Sequence, residues 1–137
     1  MGKYFKAADE FYKIYIPYFR LLLANSEVAD KISEKKLSLQ FIITDLKAQI
    51  LLDCRNAISP LICGQTTAEG DIKIWMKSDS AHHLWLGKIS LMNAIMVREI
   101  KVQGPVEKLK ELISIFKPAT AIYRQHLINL KLKEFLN

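Results

Sequence analysis

The amino-acid pattern predicts an α+β domain, an α/β sandwich. About five strands form a mostly antiparallel sheet covered on one face by helices, with further helices at the N-terminal and C-terminal ends. Three features point to it. Short runs alternate with period two, as in Ile72, Ile74 and Met76 against Lys73, Trp75 and Lys77. Apolar residues spaced by three and four run along both ends of the chain. The alternating runs follow one another across turn-length connections, which implies antiparallel pairing. With 137 residues the chain is expected to be a single domain, 1–137, large enough to bury a core.

From Lys3 to Asn25 the positions Phe5, Ala8, Phe11, Tyr12, Tyr15, Phe19, Leu22 and Leu23 fall on one helical face. Pro17 lies inside this stretch. It removes a backbone donor and crowds the carbonyl four residues back, so a kink or a meeting of two helices is expected there. The aromatic face fits packing on the domain's own sheet, the alternative being a partner-binding or membrane-lying helix. Val28 to Lys35 adds a helical turn or two. Leu37 to Asp53 reads as a hairpin: Leu37, Leu39, Phe41 and Ile43 alternate with Ser38, Gln40 and Thr44, Asp45-Leu46-Lys47 turns, and Ala48 to Cys54 returns. A second turn at Asn56 to Pro60 leads into Leu61, Ile62 and Cys63, with Pro60 at a strand start or on an edge. The strand Ile72 to Met76 follows Thr66 to Gly70.

Toward the C-terminus, Val106, Leu109, Leu112, Ile113 and Phe116 form a helical stripe, with Pro105 at its first position. Pro118 interrupts and starts a last helix carrying Ile122, Leu127, Leu130 and Phe135 among Arg124, Lys131 and Lys133. Such a basic amphipathic helix caps a core or lies on an anionic membrane, so transient contact with an anionic membrane surface is a second partner expectation.

Half of the residues are apolar and a quarter charged, as in an ordinary soluble globule. No apolar run approaches the ~18 residues that span a bilayer. The N-terminus runs straight into a charged amphipathic pattern, unlike a signal peptide. Gly2 raises the question of myristoylation, but Lys6 stands where Ser or Thr is wanted, and Glu134-Phe135-Leu136-Asn137 is not a peroxisomal address. The expected location is the cytoplasm. The net charge of +6 favours anionic surfaces without choosing between lipid and nucleic acid. Lys and Arg are spread without an aromatic-and-basic cluster, so no nucleic-acid partner is expected.

Motifs for chemistry are missing. There is no Gly-x-Ser-x-Gly, phosphate loop or Gly-x-Gly-x-x-Gly. His82 and His83 are adjacent on a helix and point about 100° apart, a poor arrangement for one metal. His126 has no matched ligand, and zinc spacings such as Cys-x-x-Cys do not occur. No metal and no cofactor is therefore expected. Cys54 and Cys63 are symmetric about a turn and can face each other across a hairpin, as two buried thiols in a reducing compartment or as a disulfide.

The most informative stretch is Ser78 to Gly104. Ser78 and Asp79 are N-cap types ahead of an apolar run, and Gly87 can end that helix in the left-handed conformation. Ser90 can cap a second helix with Leu91, Ala94 and Ile95 on one face. Ile100 and Val102 then alternate with Lys101 and Gln103 as a strand that Gly104-Pro105 stops. Trp85-Leu86-Gly87-Lys88-Ile89-Ser90, then Ala94-Ile95-Met96, then Ile100 to Gly104 resembles the signature of the sterol carrier protein type-two family. That signature runs apolar-Gly-Lys-apolar-Ser, then Ala-apolar-apolar, then a short strand ending in Gly. Gly70-Asp71-Ile72 through Met76, Ser78 and Asp79 resembles the strand and cap upstream. The family often has Pro where Leu91 stands, and many members have Gly where Arg98 stands.

The resemblance implies non-enzymatic binding, with possible transfer between membranes, of a sterol, fatty acid, acyl-CoA or other apolar ligand in a tunnel between sheet and helices. Apolar residues in and around the motif supply candidate walls: Met76, Trp85, Leu86, Met92, Ile95, Met96, Leu112, Ile115 and Phe116. No catalytic residue is assigned. The alternative is a structural or regulatory interaction domain of an enzyme complex with a filled core and no lipid, since fold does not fix function. An enzyme acting on acyl-CoA or steroid substrates would need a nucleophile–base pair that the sequence does not display.

Overall fold

The computed structural model describes residues 2–34, 36, 38–53, 61–64 and 69–136. The chain runs α1 (Ala8–Ala24), α2 (Ser26–Glu34), β1 (Ser38–Ile43), β2 (Ala48–Asp53), β3 (Leu61–Cys63), β4 (Ile72–Met76), α3 (Ser78–Leu86), α4 (Leu91–Met96), β5 (Lys101–Gln103), α5 (Val106–Ser114), α6 (Phe116–Asn129) and a final 3₁₀ turn, Lys133–Leu136. The architecture is α+β with a mixed sheet.

The strand order is β3-β2-β1-β4-β5. The hairpin of β1 and β2 turns where the alternation ends, pairing Ile43 with Ala48 and Ser38 with Asp53. The expectation that each strand pairs antiparallel with the one before it fails at β4. That strand crosses over and lies parallel to β1, setting Leu39, Phe41 and Ile43 beside Ile72, Ile74 and Met76. All six are buried. This register puts both apolar faces on the same side of the sheet, whereas β3 is only three residues long and remains an edge. Two buried polar side chains of β1 guide the crossover. Ser38 Oγ accepts from the Asp71 N–H at 2.6 Å, and Gln40 Oε1 accepts from the Gly70 N–H at 3.1 Å.

Helix α1 continues through Pro17, where a kink or two helices were expected. Proline removes only its own N–H, so a single carbonyl loses its usual partner. Buried residues on both sides of it, Phe11, Ile14 and Tyr15 before and Tyr18, Phe19 and Leu22 after, hold the two halves against one core. Two further bonds tie this helix to α6. Tyr18 Oη donates to the Ala119 carbonyl at 2.9 Å, and His126 Nε2 donates to the Ile14 carbonyl at 2.9 Å.

The cap of α3 also differs from expectation. Its N-cap is Lys77, which makes no side-chain cap bond. The helix is capped from a distance by Asp45 of the β1–β2 turn, which accepts from both the N–H and the hydroxyl of Ser78 at 2.8 Å. Gly87 does end α3 in the left-handed region, φ 80°. Ser90 caps α4 through the Asn93 N–H at 3.1 Å. Pro105 is the N-cap of α5 and not its first residue, and Phe116 opens α6 two residues ahead of Pro118. Cys63 faces Ile50 in the β2–β3 register; Cys54 and the turn at Asn56 to Pro60 lie outside the described residues.

At the other edge, β5 ends at Gly104 with φ 148°, and a Cβ there would stand 2.6 Å from the Asp71 carbonyl oxygen. Gly104→Ala is therefore expected to lower stability by about 1–3 kcal/mol, measured as a shift in the urea midpoint at unchanged slope.

Candidate functional site

The interior of the helix layer is aromatic. Trp85 of α3 meets Tyr18 and Phe19 of α1, Phe41 of β1 and Phe116 of α6, with ring centroids 5.1–5.7 Å apart. Tyr123 of α6 adds contacts to Tyr15 and Tyr18 at 5.5 and 4.8 Å. These rings occupy the space between helices and sheet in which the sequence suggested a tunnel.

One turn before Trp85, His82 is fully buried. Its Nε2 lies 2.7 Å from the Phe135 carbonyl and its Nδ1 2.8 Å from Tyr123 Oη. A carbonyl only accepts, so Nε2 carries the proton and Nδ1 accepts from the Tyr123 hydroxyl. His82 is thus the neutral Nε2–H tautomer. Burial lowers its pKa from 6.5 to about 4, against the opposing pull of the Phe135 carbonyl. Burial also raises the pKa of the Tyr123 hydroxyl. Both nitrogens of His82 are engaged, and the Ser78 and Ser80 hydroxyls donate to Asp45 and Glu99. Among the described residues no group of three or more His, Cys, Asp or Glu could hold a metal ion.

The His82 bond fixes the C-terminal 3₁₀ turn over α3. The N-terminal segment arrives at the same place. Asp79 accepts from the backbone N–H groups of Lys3 and Tyr4 at 2.9–3.2 Å, and the Tyr4 ring lies 4.1 Å from His82 and 5.4 Å from Phe135. Asp79 therefore clasps the chain end, a use that its N-cap type did not reveal. Between this clasp, α1 and the C-terminal turn opens a cleft of about 330 Å³. Its apolar lining is Tyr4, Phe5, Ile14, Leu130, Leu132 and Phe135, and the charged side chains on it are Glu10 and Lys13, both exposed. The volume lies at the lower end of small-molecule sites, and the mix of apolar wall and a few polar groups is typical of them.

The nine candidate wall residues are distributed differently. Met76, Trp85, Leu86, Leu112 and Ile115 are buried in the core. Met92 and Phe116 line a cavity of about 170 Å³ with Leu84, Ile89, Leu91 and Ile113. Ile95 lines another, of about 350 Å³, with Ile100 and Val102. Met96 stands in solvent, 77% exposed, because the short helix α4 buries only Leu91 and Ala94. Sequence reasoning missed the cleft because its walls come from both chain ends. Phe5, Leu130 and Phe135 were visible as apolar positions, but nothing local said that they meet.

Residues 25–124 match the family model described as alkyl sulfatase C-terminal. The chain belongs to that family. Its similarity to the stereoselective inverting sec-alkylsulfatase of a Pseudomonas species is 25% identity with a TM-score of 0.52, over 62% of this chain and 13% of that one. The chain thus spans about an eighth of that enzyme. It is also similar to sterol carrier protein domain 2 of Helicoverpa armigera, with TM-score 0.64 and 15% identity over 88% of this chain and 96% of that one. A further match is the apo form of sterol carrier protein 2 from Yarrowia lipolytica, with TM-score 0.58 and 19% identity over 82% and 91%. The sterol-carrier-like fold expected from the Ser78–Gly104 stretch is present. No match was found among curated protein sequences.

The buried histidine gives a pH dependence. Its folded pKa is below its ordinary value, so between pH 6.5 and about 4 the unfolded chain binds a proton that the folded one does not. This contribution to stability is complete above pH 6.5 and declines as the pH falls toward 4. The denaturation midpoint should fall across that window, and His82→Gln should show a shallower fall. Equal slopes in both proteins would remove His82 from the account.

Proposed function

We propose that this domain binds, without catalysis, an amphiphile with an apolar body, such as a fatty acid, acyl chain or sterol, and that it does so in the cleft between the two chain ends. The observation that carries the reading is the cleft itself: six apolar residues around about 330 Å³, with Lys13 and Glu10 on it. Each methylene moved from water into such a lining contributes about 0.8 kcal/mol, so a medium-length chain is held without a specific polar contact. The ammonium of Lys13 suits a carboxylate or sulfate head. The folds of the sterol carrier proteins support the reading, as does membership of a family named for enzymes of alkyl esters. We further place the protein in the cytoplasm, acting as one domain that carries ligand between sites.

A second reading is favoured by the aromatic filling around Trp85. A domain whose interior is closed can serve as a structural or regulatory part of an enzyme complex, as the small share of the alkylsulfatase chain matched here would suit.

Titration with a fluorescent fatty acid separates these readings and locates the site. Leu132→Trp should reduce affinity at least about tenfold, the equivalent of ~1.4 kcal/mol, whereas Met92→Trp, in the smaller cavity, should leave it unchanged. Loss of uptake in Met92→Trp alone would move the ligand to the cavity among α3, α4, α5 and α6. An absence of uptake by the unmodified protein would favour the interaction domain.

A further inference from the structure

We propose that the corner formed by α4 and β5 docks on an anionic lipid bilayer. Met92, Met96 and Val97 project there with 49%, 77% and 71% exposure. Met92 and Met96 are one turn apart on the same helical face, and Val97 follows directly. Core packing does not explain Met96 or Val97, since Leu91 and Ala94 are the buried residues of this helix, while half-exposed Met92 also lines the cavity of about 170 Å³. Single exposed apolar residues are ordinary, but three together, bordered by cations, form the pattern of a surface that enters the headgroup layer.

The border is basic. Arg98 and Lys101 flank a cavity of about 350 Å³ floored by Ile95, Ile100 and Val102. Lys88 is exposed in the turn between α3 and α4. The guanidinium of Arg98 has no hydrogen-bond or ion-pair partner among the described residues. The Lys101 ammonium lies 5.1 Å from the centre of the Trp75 ring, on the outer side of the edge strand. Glu99, the acidic residue between them, is turned to the protein and accepts from Ser80 Oγ at 2.9 Å. Positive groups ringing an apolar tip match anionic headgroups above acyl chains.

The backbone adds a separate observation. Arg98 closes α4 in the left-handed conformation, φ 63°, with its own N–H on the Ile95 carbonyl and the Glu99 N–H on the Ala94 carbonyl. Glycine adopts this conformation without steric cost and arginine does not. Lys36, Lys47 and Lys131 adopt the same conformation elsewhere, and Arg98 sets its cation beside the apolar tip. The last helix turns part of its apolar surface inside and leaves Ile128 and Leu130 40% and 42% exposed. Tyr123 and Leu127 are buried, and Arg124 Nη2 donates to the Leu86 carbonyl at 2.8 Å. The α4–β5 corner shares no residue with the cleft at Tyr4 and Phe135, so vesicle binding reads it independently of ligand uptake.

The test is co-sedimentation with vesicles of phosphatidylcholine alone and of phosphatidylcholine with an equal part of phosphatidylglycerol. Binding is expected to the second and not the first, and it should weaken as salt is raised. The double variant Met96→Asp, Val97→Asp should bind roughly tenfold less or worse. Arg98→Gly should bind about fivefold less while melting at a higher temperature, a pairing that a purely structural role for Arg98 would not give. A variant of the last helix, Lys131→Glu with Lys133→Glu, should lose less than the double variant. The proposal is overturned by no binding to the anionic vesicles, by unchanged binding of the double variant, or by a loss centred on the last-helix variant. It is also overturned by a dimer without vesicles that the double variant dissolves, which would make a second copy the occupant of this surface.

Discussion

The indole of Trp85 touches rings from α1, β1 and α6, so one side chain joins the first helix, the central strand and the last long helix. An aromatic body of this size buries some 150–250 Å², and its contacts fix how far the helix layer stands from the sheet. Tyr15, Tyr18 and Tyr123 extend the packing in the same layer. Rings from α1, β1, α3 and α6 thus pack against one another between the helices and the sheet. The apolar cleft of about 330 Å³ lies at the margin of this cluster, where the chain ends come together.

Polar groups determine where those ends go. The joints made by Asp45, Asp79, His82, Ser38 and Gln40 connect residues thirty or more positions apart. Those of Asp45, His82, Ser38 and Gln40 satisfy part-buried backbone or side-chain groups, and that of Asp79 holds the exposed backbone N–H of Lys3. The His82 joint uses a buried side chain. It requires a neutral imidazole that donates to a carbonyl of the last turn and accepts from Tyr123. This makes the wall of the cleft that contains Phe135 dependent on one buried side chain. The two ends are thereby held by contacts of different kinds, a carboxylate on backbone N–H groups at one side and an imidazole on a carbonyl at the other.

Local signals were legible in the sequence where the cause was local. The turn at Asp45 to Lys47, the left-handed stop at Gly87 and the Ser90 cap each follow from residues within a few positions. The family resemblance rested on the same stretch. What was not legible depended on distance. Alternation told that Ile72 to Met76 is a strand but not that its partner is β1, because period two is the same for parallel and antiparallel neighbours. Ser78 looked like its own cap, yet its partner Asp45 lies in a turn three strands earlier. Met96 looked like a wall residue because methionine is common in cores, and only the shortness of α4 sends it outward. Ile14 had no place in the aromatic stripe of α1, although it lines the cleft.

The two proposed surfaces are a cleft for an apolar body and a basic, methionine-tipped corner for a lipid headgroup layer. They stand on separate elements and depend on the same rigid core. The first assignment is the central one. Methyl NMR during titration with a saturated fatty acid tests it most directly. Shifts confined to the methyl groups of Ile14, Leu130 and Leu132 are the predicted result. Shifts centred on Leu86, Leu112 and Ile115, with the cleft methyls unmoved, would contradict it.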